Sequence, residues 1–392
     1  MNWPRRVARL APSPTTAAME LAQALKRQGL PVIDLAAGQP DFATPEPIRE
    51  AGIRAIRENR TRYTPSAGLP ELREALAEYY NRRWGTEFGY ENVVVTAGAK
   101  SAVYTTAAVW FGPQDRVLIP APYWVTFPAV VHMVEAQPVV VPTRHENRFR
   151  ATLHDLVAVS PPCQGLILNT PNNPTGSVLP ENTVEEVANW AADGNVRVLF
   201  DETYEHFVYN SGRHVSLASY ADRLGDGFAL IGSFSKTFAM TGWRIGYVIA
   251  SREVARKIAA FQSHQSGNPS TIGQYAALEA LRLGPRAFEP MRKEYEARLA
   301  LVLRRLADVP SLSCAAPQGA FYVFPEVREG MKRSGCASSL ELAERLLREE
   351  HVAVVAGEAF GCEGHIRISY AVSREDIDEA LDRIRRFFEK QP

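Results

Sequence analysis

Lys236 stands in the stretch Ser233-Phe234-Ser235-Lys236-Thr237-Phe238-Ala239-Met240-Thr241-Gly242-Trp243-Arg244, and its neighbours are the first indication of chemistry. An amine held among apolar rings and hydroxyls resists protonation, because burial disfavours its charged form. A neutral amine is a nucleophile toward an aldehyde. Two serines beside it and an arginine eight positions on are the groups a phosphate dianion needs. A solvated surface loop is the ordinary setting of a lysine. The flanking Phe234, Phe238 and Trp243 argue against it here.

Other chemistry-bearing residues are spread along the chain. Pro171-Asn172-Asn173-Pro174-Thr175-Gly176 is a turn that presents an amide side chain. Asp201-Glu202-Thr203-Tyr204 sets a carboxylate at a strand end and a phenol three residues later. Tyr123-Trp124 places a large flat ring after Ala121-Pro122. Thr96-Ala97-Gly98-Ala99-Lys100 is a small-residue turn between a strand and a helix, so free backbone N–H groups at the helix start can meet an anion. Neither a P-loop nor a dinucleotide fingerprint is present. Gly38 and Pro40 mark a turn where backbone can approach a ligand closely. Taken singly, each of these is a loop, a capping acid or a core aromatic.

The elements that must position these residues read as follows. Val93-Val94-Val95, Val117-Leu118-Ile119, Val139-Val140-Val141, Leu166-Ile167-Leu168, Val196 to Phe200 and Phe228 to Ile231 are apolar runs rather than alternations. Such strands are covered on both faces, and with helices between several of them they form a largely parallel α/β sheet. Ligand chemistry belongs at the C-terminal ends of its strands, where Gly98, Asn173, Asp201 and Lys236 fall. Helices are expected over Met19 to Arg27, Pro47 to Asn59, Leu72 to Arg83 and Ser101 to Phe111, with a short strand at Val32 to Leu35. After about Pro290 the pattern changes. A charged helix, Arg292 to Leu306, leads to short strands near Ala320 to Val323 and Ile366 to Ile368, with amphipathic helices at Leu340 to Glu349 and Ile377 to Phe388. This predicts a smaller α+β domain.

The totals exclude several function classes. The chain has 392 residues, with 44 Lys+Arg against 44 Asp+Glu, so no global field attracts nucleic acid or an anionic membrane. Its length suits two domains. Cys163, Cys314, Cys336 and Cys362 are scattered without a CxxC pair, which reads as reduced thiols in a cytoplasmic protein and as no metal site. Arg5-Arg6 is followed by Pro12 and Pro14 rather than an apolar signal region, and no run approaches membrane-spanning length.

Taken together, the NNPTG turn, the DETYE segment and the SFSK…GWRIGY stretch resemble the class I and II aminotransferases of the fold-type I pyridoxal-phosphate enzymes, closest to the bacterial aspartate-aminotransferase-like members. The resemblance covers nearly the whole chain, about 31–388. It implies an α/β fold with a three-layer large domain over 45–290, built on a mostly parallel sheet, and a small domain from 1–44 and 291–392. It implies pyridoxal 5'-phosphate as cofactor, with Lys236 condensing with its aldehyde and acting as general base. Asp201 would pair with the ring nitrogen, and Asn173 and Tyr204 with the ring's 3-oxygen. Trp124 would stack on one ring face, with Thr203 against the other. Arg244, Ser233, Ser235 and the backbone of Gly98, Ala99 and Lys100 would hold the phosphate, Lys100 through its N–H. Arg367 would clamp the substrate's α-carboxylate, with a backbone N–H from Gly38. Tyr63 would reach the phosphate in a neighbouring subunit, which requires a homodimer.

The expected reaction moves an amino group from an L-amino acid to a 2-oxo acid, 2-oxoglutarate being the acceptor, with ping-pong kinetics. Another reaction on the same apparatus, a β-lyase, decarboxylase or oxidase, shares every one of these residues. The donor is less legible. Several acidic-substrate relatives carry a lysine just before the N-terminal Pro-Ser, where this chain has Ala11. That weakens an aspartate or prephenate preference without excluding it, and leaves aspartate, aromatic or broad neutral donors open. Met19, Tyr123 and Phe360 are candidates for the pocket wall or for the core.

Overall fold

The computed structural model describes residues 3–210, 212–309 and 311–390. In chain order the strands are β1 (Ile33–Asp34), β2 (Val93–Thr96), β3 (Arg116–Ala121), β4 (Gln137–Pro142), β5 (Gly165–Asn169), β6 (Arg197–Asp201), β7 (Phe228–Ser233) and β8 (Gly246–Ala250). Then come β9 (Tyr322–Val323), β10 (Val352–Ala353), β11 (Val355–Ala356) and β12 (Ile366–Ser369). Seven of them form one sheet in the order β2-β8-β7-β6-β5-β3-β4. β8 runs antiparallel to both neighbours and every other pairing is parallel.

The apolar runs are buried on both faces because successive side chains point to opposite sides. Val93 and Val95 join one core with Leu166, Leu168, Val198, Phe200 and Leu230. Val94 joins the other with Ile119, Ile167, Leu199, Ile231 and Val248. Helices close both faces. Pro70–Trp84 and Glu181–Asp193 contribute Leu72, Leu76, Val184 and Val187 to the first core. Ala99–Trp110 and Arg252–Gln265 contribute Val103, Ala107, Val254 and Ile258 to the second. The result is a three-layer arrangement whose edge strand β4 leaves Val140 exposed.

Residues beyond 307 build a second, smaller arrangement. β11, β12 and β9 form an antiparallel sheet, and β1 pairs in parallel with β10. That pairing ties the N-terminal segment to the C-terminal part, reinforced by Ser369 N–H donating to Leu35 O at 2.8 Å. The helix Arg374–Glu389 starts at Ser373, whose hydroxyl accepts from Asp376 N–H. It buries Ile377, Leu381, Ile384 and Phe388 on one face, each worth about 2 kcal/mol of transfer free energy.

Several boundaries differ from the sequence reading, among them the helix expected from Met19, which begins at Pro14. The helix expected from Ser101 begins at Ala99, because Gly98, at φ 85° and ψ 166°, serves as its N-cap. The helix expected from Arg292 begins at Pro285 and runs through Pro290 to Ala307. A proline there removes one intrahelical bond, and the buried face of Phe288, Met291, Tyr295, Leu299 and Val302 keeps the helix continuous. The sequence reading assigns no strand to 246–250. β8 lies there, fully buried between β2 and β7.

Candidate active site

The C-terminal ends of β5, β6 and β7 open onto one cavity of about 380 Å³. Lys236, Asp201, Asn173, Tyr204, Trp124, Ser233, Ser235, Arg244, Arg367, Gly38, Ala99 and Lys100 all line it. Residues as far apart in sequence as Gly38 and Arg367 therefore meet at one place: the parallel strands bring Asn173, Asp201 and Lys236 to one side, and β12 of the small sheet brings Arg367.

Lys236 follows β7 in the short helix Phe234–Thr237, whose start is capped by Ser233 Oγ accepting from Ser235 N–H at 3.1 Å. Its Nζ donates to Gly38 O at 2.6 Å. Burial, then the nearby cations Arg244, Arg367 and Lys100, pull the amine down to about 7, with Asp201 opposing. At neutral pH this lysine therefore spends much of its time uncharged and nucleophilic.

Asp201 closes β6 and is 4% exposed. Burial pushes its carboxyl up to about 6, although Thr203 N–H donates to it at 3.0 Å and favours the charged form. A carboxylate so enclosed calls for a cationic or N–H partner within the cavity. Thr203 Oγ1 is buried there with no hydrogen-bond partner.

One end of the cavity suits an anion. Gly98 and Ala99 present the start of the helix Ala99–Trp110. Arg244, held in the left-handed region at φ 57°, turns its guanidinium back to donate to Thr241 O and Ala97 O. A Cβ on Gly98 would fall 2.4 Å from Arg244 Nη2. Its backbone conformation is also open essentially to glycine alone. The hydroxyls of Ser233 and Ser235 complete this end.

Arg367 forms the other end. It projects from β12, is 2% exposed, and donates through Nη1 to Asn173 Oδ1 at 3.0 Å and through Nη2 to Ala36 O at 2.6 Å. Its guanidinium carbon lies 4.6 Å from the Tyr322 ring centroid and 5.2 Å from that of Phe360. Nε has no partner. A buried, permanently cationic fork with unused N–H groups is a carboxylate receptor.

Of the sequence candidates, Tyr63 stands apart from this cavity and is 95% exposed. Phe360 belongs to the core against Arg367, Tyr123 packs on Gly361, and Met19 lines the cavity. Sequence reasoning passed over Tyr322, whose hydroxyl lies 2.7 Å from that of Tyr204. It also passed over Thr15, Thr16, Gln39 and Asn169 in the wall. The resemblance gives Lys100 only an N–H role, yet its side chain lies in the cavity with Nζ 5.4 Å from the Trp124 ring centroid. Tyr322 reads as one of three consecutive core residues, Phe321-Tyr322-Val323, and Thr15-Thr16 as a helix start. Neither carries a sequence signal.

Comparison with known proteins matches residues 31–384 to the family described as aminotransferase class I and II. The chain is 38% identical over 391 residues to the aspartate aminotransferase of Bacillus subtilis (strain 168), covering all of both chains. It is 39% identical over 389 residues to the probable aspartate/prephenate aminotransferase of Aquifex aeolicus (strain VF5), covering 98% of each. The solved aspartate aminotransferase from Thermus thermophilus with maleate superposes with a TM-score of 0.92 at 38% identity, covering 99% of this chain and 100% of that one.

Proposed function

The chain belongs to the aminotransferase class I and II family and is a transaminase, and we propose that it works with pyridoxal 5'-phosphate held by the cavity described above. The observation that carries this reading is the juxtaposition of an amine lowered to about 7, Lys236, with a buried carboxyl, Asp201, in one cavity. The donor set fits the group. Arg244, the Gly98–Ala99 helix start and two serines suit its phosphate. Asp201 suits a protonated ring nitrogen, and the unpartnered Thr203 Oγ1 and the Trp124 ring suit its two faces. When bound, the cofactor supplies an electron sink for the bonds at the substrate's α-carbon.

The chain's own residues do the rest. Lys236 is positioned to take the proton from the α-carbon, and its depressed basicity leaves about half of it neutral at pH 7. Arg367 receives the α-carboxylate on its unused N–H groups, and Gly38 lies against the same end. Asn173 gives its carbonyl oxygen to Arg367 and so keeps its amide N–H groups for the cofactor's ring oxygen, beside Tyr204. The amine leaves one L-amino acid as a 2-oxo acid is released, and a second 2-oxo acid, 2-oxoglutarate, takes it up in a ping-pong cycle.

Ala11 weakens an acidic-donor reading, but the Lys100 side chain, within the cavity beside Trp124, supplies a cation that restores it. The Lys100 ammonium lines the cavity with Thr15, Thr16 and Gln39 and can pair with a distal carboxylate, which favours aspartate over the aromatic and neutral donors. The exposed Tyr63 phenol is assigned to a partner subunit's cofactor, making the protein a homodimer with shared sites. Residues 45–290 are assigned to the large domain, and 1–44 with 291–392 to the small one, a division supported by the pairing of β1 with β10. Among the described residues no helix is long and apolar enough to cross a membrane. The four free cysteines suit a reducing cytoplasm.

The test is a panel of L-amino acids offered with 2-oxoglutarate to the purified, cofactor-loaded protein, read by detecting both products. Stoichiometric 2-oxo acid and glutamate, fastest from aspartate, is the expected result. Ammonia or pyruvate released from a β-substituted donor without glutamate would instead make the chain a lyase.

A further inference from the structure

We propose that Tyr322 is a positioning residue of this reaction, its hydroxyl setting Tyr204 and its ring setting Arg367, so that one side chain links the two ends of the cavity. The inference rests on the reading of that cavity as a transaminase site.

The placement begins with the strands. Tyr322 on β9 lies directly opposite Ser369 on β12. Arg367 is two residues from Ser369 and so shares its face, which makes it a diagonal neighbour within reach of a long side chain. The contact is made through the ring, 4.6 Å from the guanidinium carbon, with Phe360 as the second ring against Arg367 at 5.2 Å. Held by two rings and two acceptors, the fork has its plane set before any carboxylate arrives.

The hydroxyl does something a phenylalanine could not. Tyr322 is fully buried, and a buried hydroxyl without a partner is costly. Its partner is the Tyr204 hydroxyl at 2.7 Å, 118 positions away. Tyr204 is also buried, so this pair is closed to bulk water. With Tyr322 donating, the phenol of Tyr204 becomes a stronger donor toward the cavity, because linked hydrogen bonds polarise one another. Gly38 closes the arrangement from the third side. A Cβ there would fall 2.9 Å from the Tyr322 hydroxyl oxygen, so the segment after β1 that carries the Lys236 acceptor is packed directly on this oxygen.

Core filling is the plain alternative, and it makes different demands. Filling requires only the ring, so Tyr322→Phe would be silent in everything except stability. Positioning requires the ring for Arg367 and the oxygen for Tyr204, so the two functions separate by substitution.

The experiment uses the cofactor-loaded protein and three readouts: the pH midpoint of the bound cofactor's visible absorption band, the dissociation constant of succinate as an unreactive carboxylate, and the split between kcat and KM. Tyr322→Phe should raise the spectral midpoint by about 0.4 to 1 pH unit, the loss of one hydrogen bond. It should lower kcat severalfold and leave succinate binding within about twofold. Tyr322→Leu should in addition weaken succinate by about fivefold or more, as expected for loss of a buried stack on a cation. In a Tyr204→Phe background, Tyr322→Phe should move the midpoint no further. Should Tyr322→Phe fold poorly, Gly38→Ala presses on the same oxygen from outside and should move the midpoint in the same direction. An unchanged midpoint and kcat in Tyr322→Phe, or a full shift persisting without the Tyr204 hydroxyl, overturns the inference. A wild-type protein that gives no visible band and no transamination overturns the functional reading instead.

Discussion

Lys236 should destabilise the cofactor-free protein in a pH-dependent way, and replacing it by methionine should reveal by how much. The amine's ordinary value is 10.5 and the folded protein brings it to about 7, first by burial and then through Arg244, Arg367 and Lys100. Between those values the unfolded chain binds a proton that the folded one does not, so stability rises with pH across that window. Below about pH 7 the lysine is protonated in both states and the penalty is complete. At about 1.36 kcal/mol per pH unit the gap amounts to roughly 5 kcal/mol. Lys236→Met keeps the stem's volume but loses the hydrogen bond from Nζ to Gly38 O, a cost of roughly 1 kcal/mol. Cofactor-free Lys236→Met should therefore be more stable than wild type by roughly 4 kcal/mol at pH 6, and the two should converge near pH 10. Urea unfolding at matched protein concentration, run at pH 6, 8 and 10, measures the difference. A gap that stays constant over that range, or a variant less stable at pH 6, would refute the reasoning, because burial and the nearby cations would then not be depressing this amine.

Four further outcomes follow from the same geometry. Asp201 is the mirror case: its carboxyl is raised from 3.8 to about 6 by burial, so the cofactor-free protein should lose stability as pH climbs through that window. Cofactor-free Asp201→Asn should gain up to roughly 3 kcal/mol at pH 8 by chemical denaturation, while the loaded variant loses transamination. Arg367→Ala should raise KM for the amino donor by about 100-fold, the equivalent of roughly 3 kcal/mol for a lost charge-assisted pair; unchanged steady-state kinetics would show that the carboxylate binds elsewhere. Gly98→Ala should weaken cofactor binding in a fluorescence titration, since the new Cβ sits 2.4 Å from Arg244 Nη2, and should cost about 1–3 kcal/mol in unfolding because φ at this position is 85°. Lys236→Ala should keep the fold by circular dichroism and retain non-covalent cofactor while losing product formation; near-wild-type turnover would displace Lys236 from its role.

Much of the architecture is legible along the chain because it is local. A buried strand must be an apolar run, so β2, β3, β5, β6 and β7 are visible as such. The terminal helix announces its buried face by spacing alone. β8 escapes this reading because its short run, Tyr247 to Ala250, follows closely on the Lys236 stretch and is merged with it. The start of Ala99–Trp110 escapes for a different reason: an N-cap at positive φ is a backbone choice that one glycine permits but does not announce.

The sequence by itself determined which groups are available for the chemistry: one lysine among rings and hydroxyls, one acid at a strand end, an amide in a proline-bounded turn, and two arginines far apart. Residue type and local spacing suffice for that, because they set each side chain's charge, reach and backbone setting. Only the tertiary structure decided what those groups face. Parallel strands deliver Asp201 and Lys236 to the same edge, and the pairing of β9 with β12 sets Tyr322 against Arg367 and within 2.7 Å of Tyr204. Lys236 loses basicity through enclosure and through cations brought in from distant segments. Those effects depend on distance and on exclusion of water, and neither quantity exists until the chain has folded.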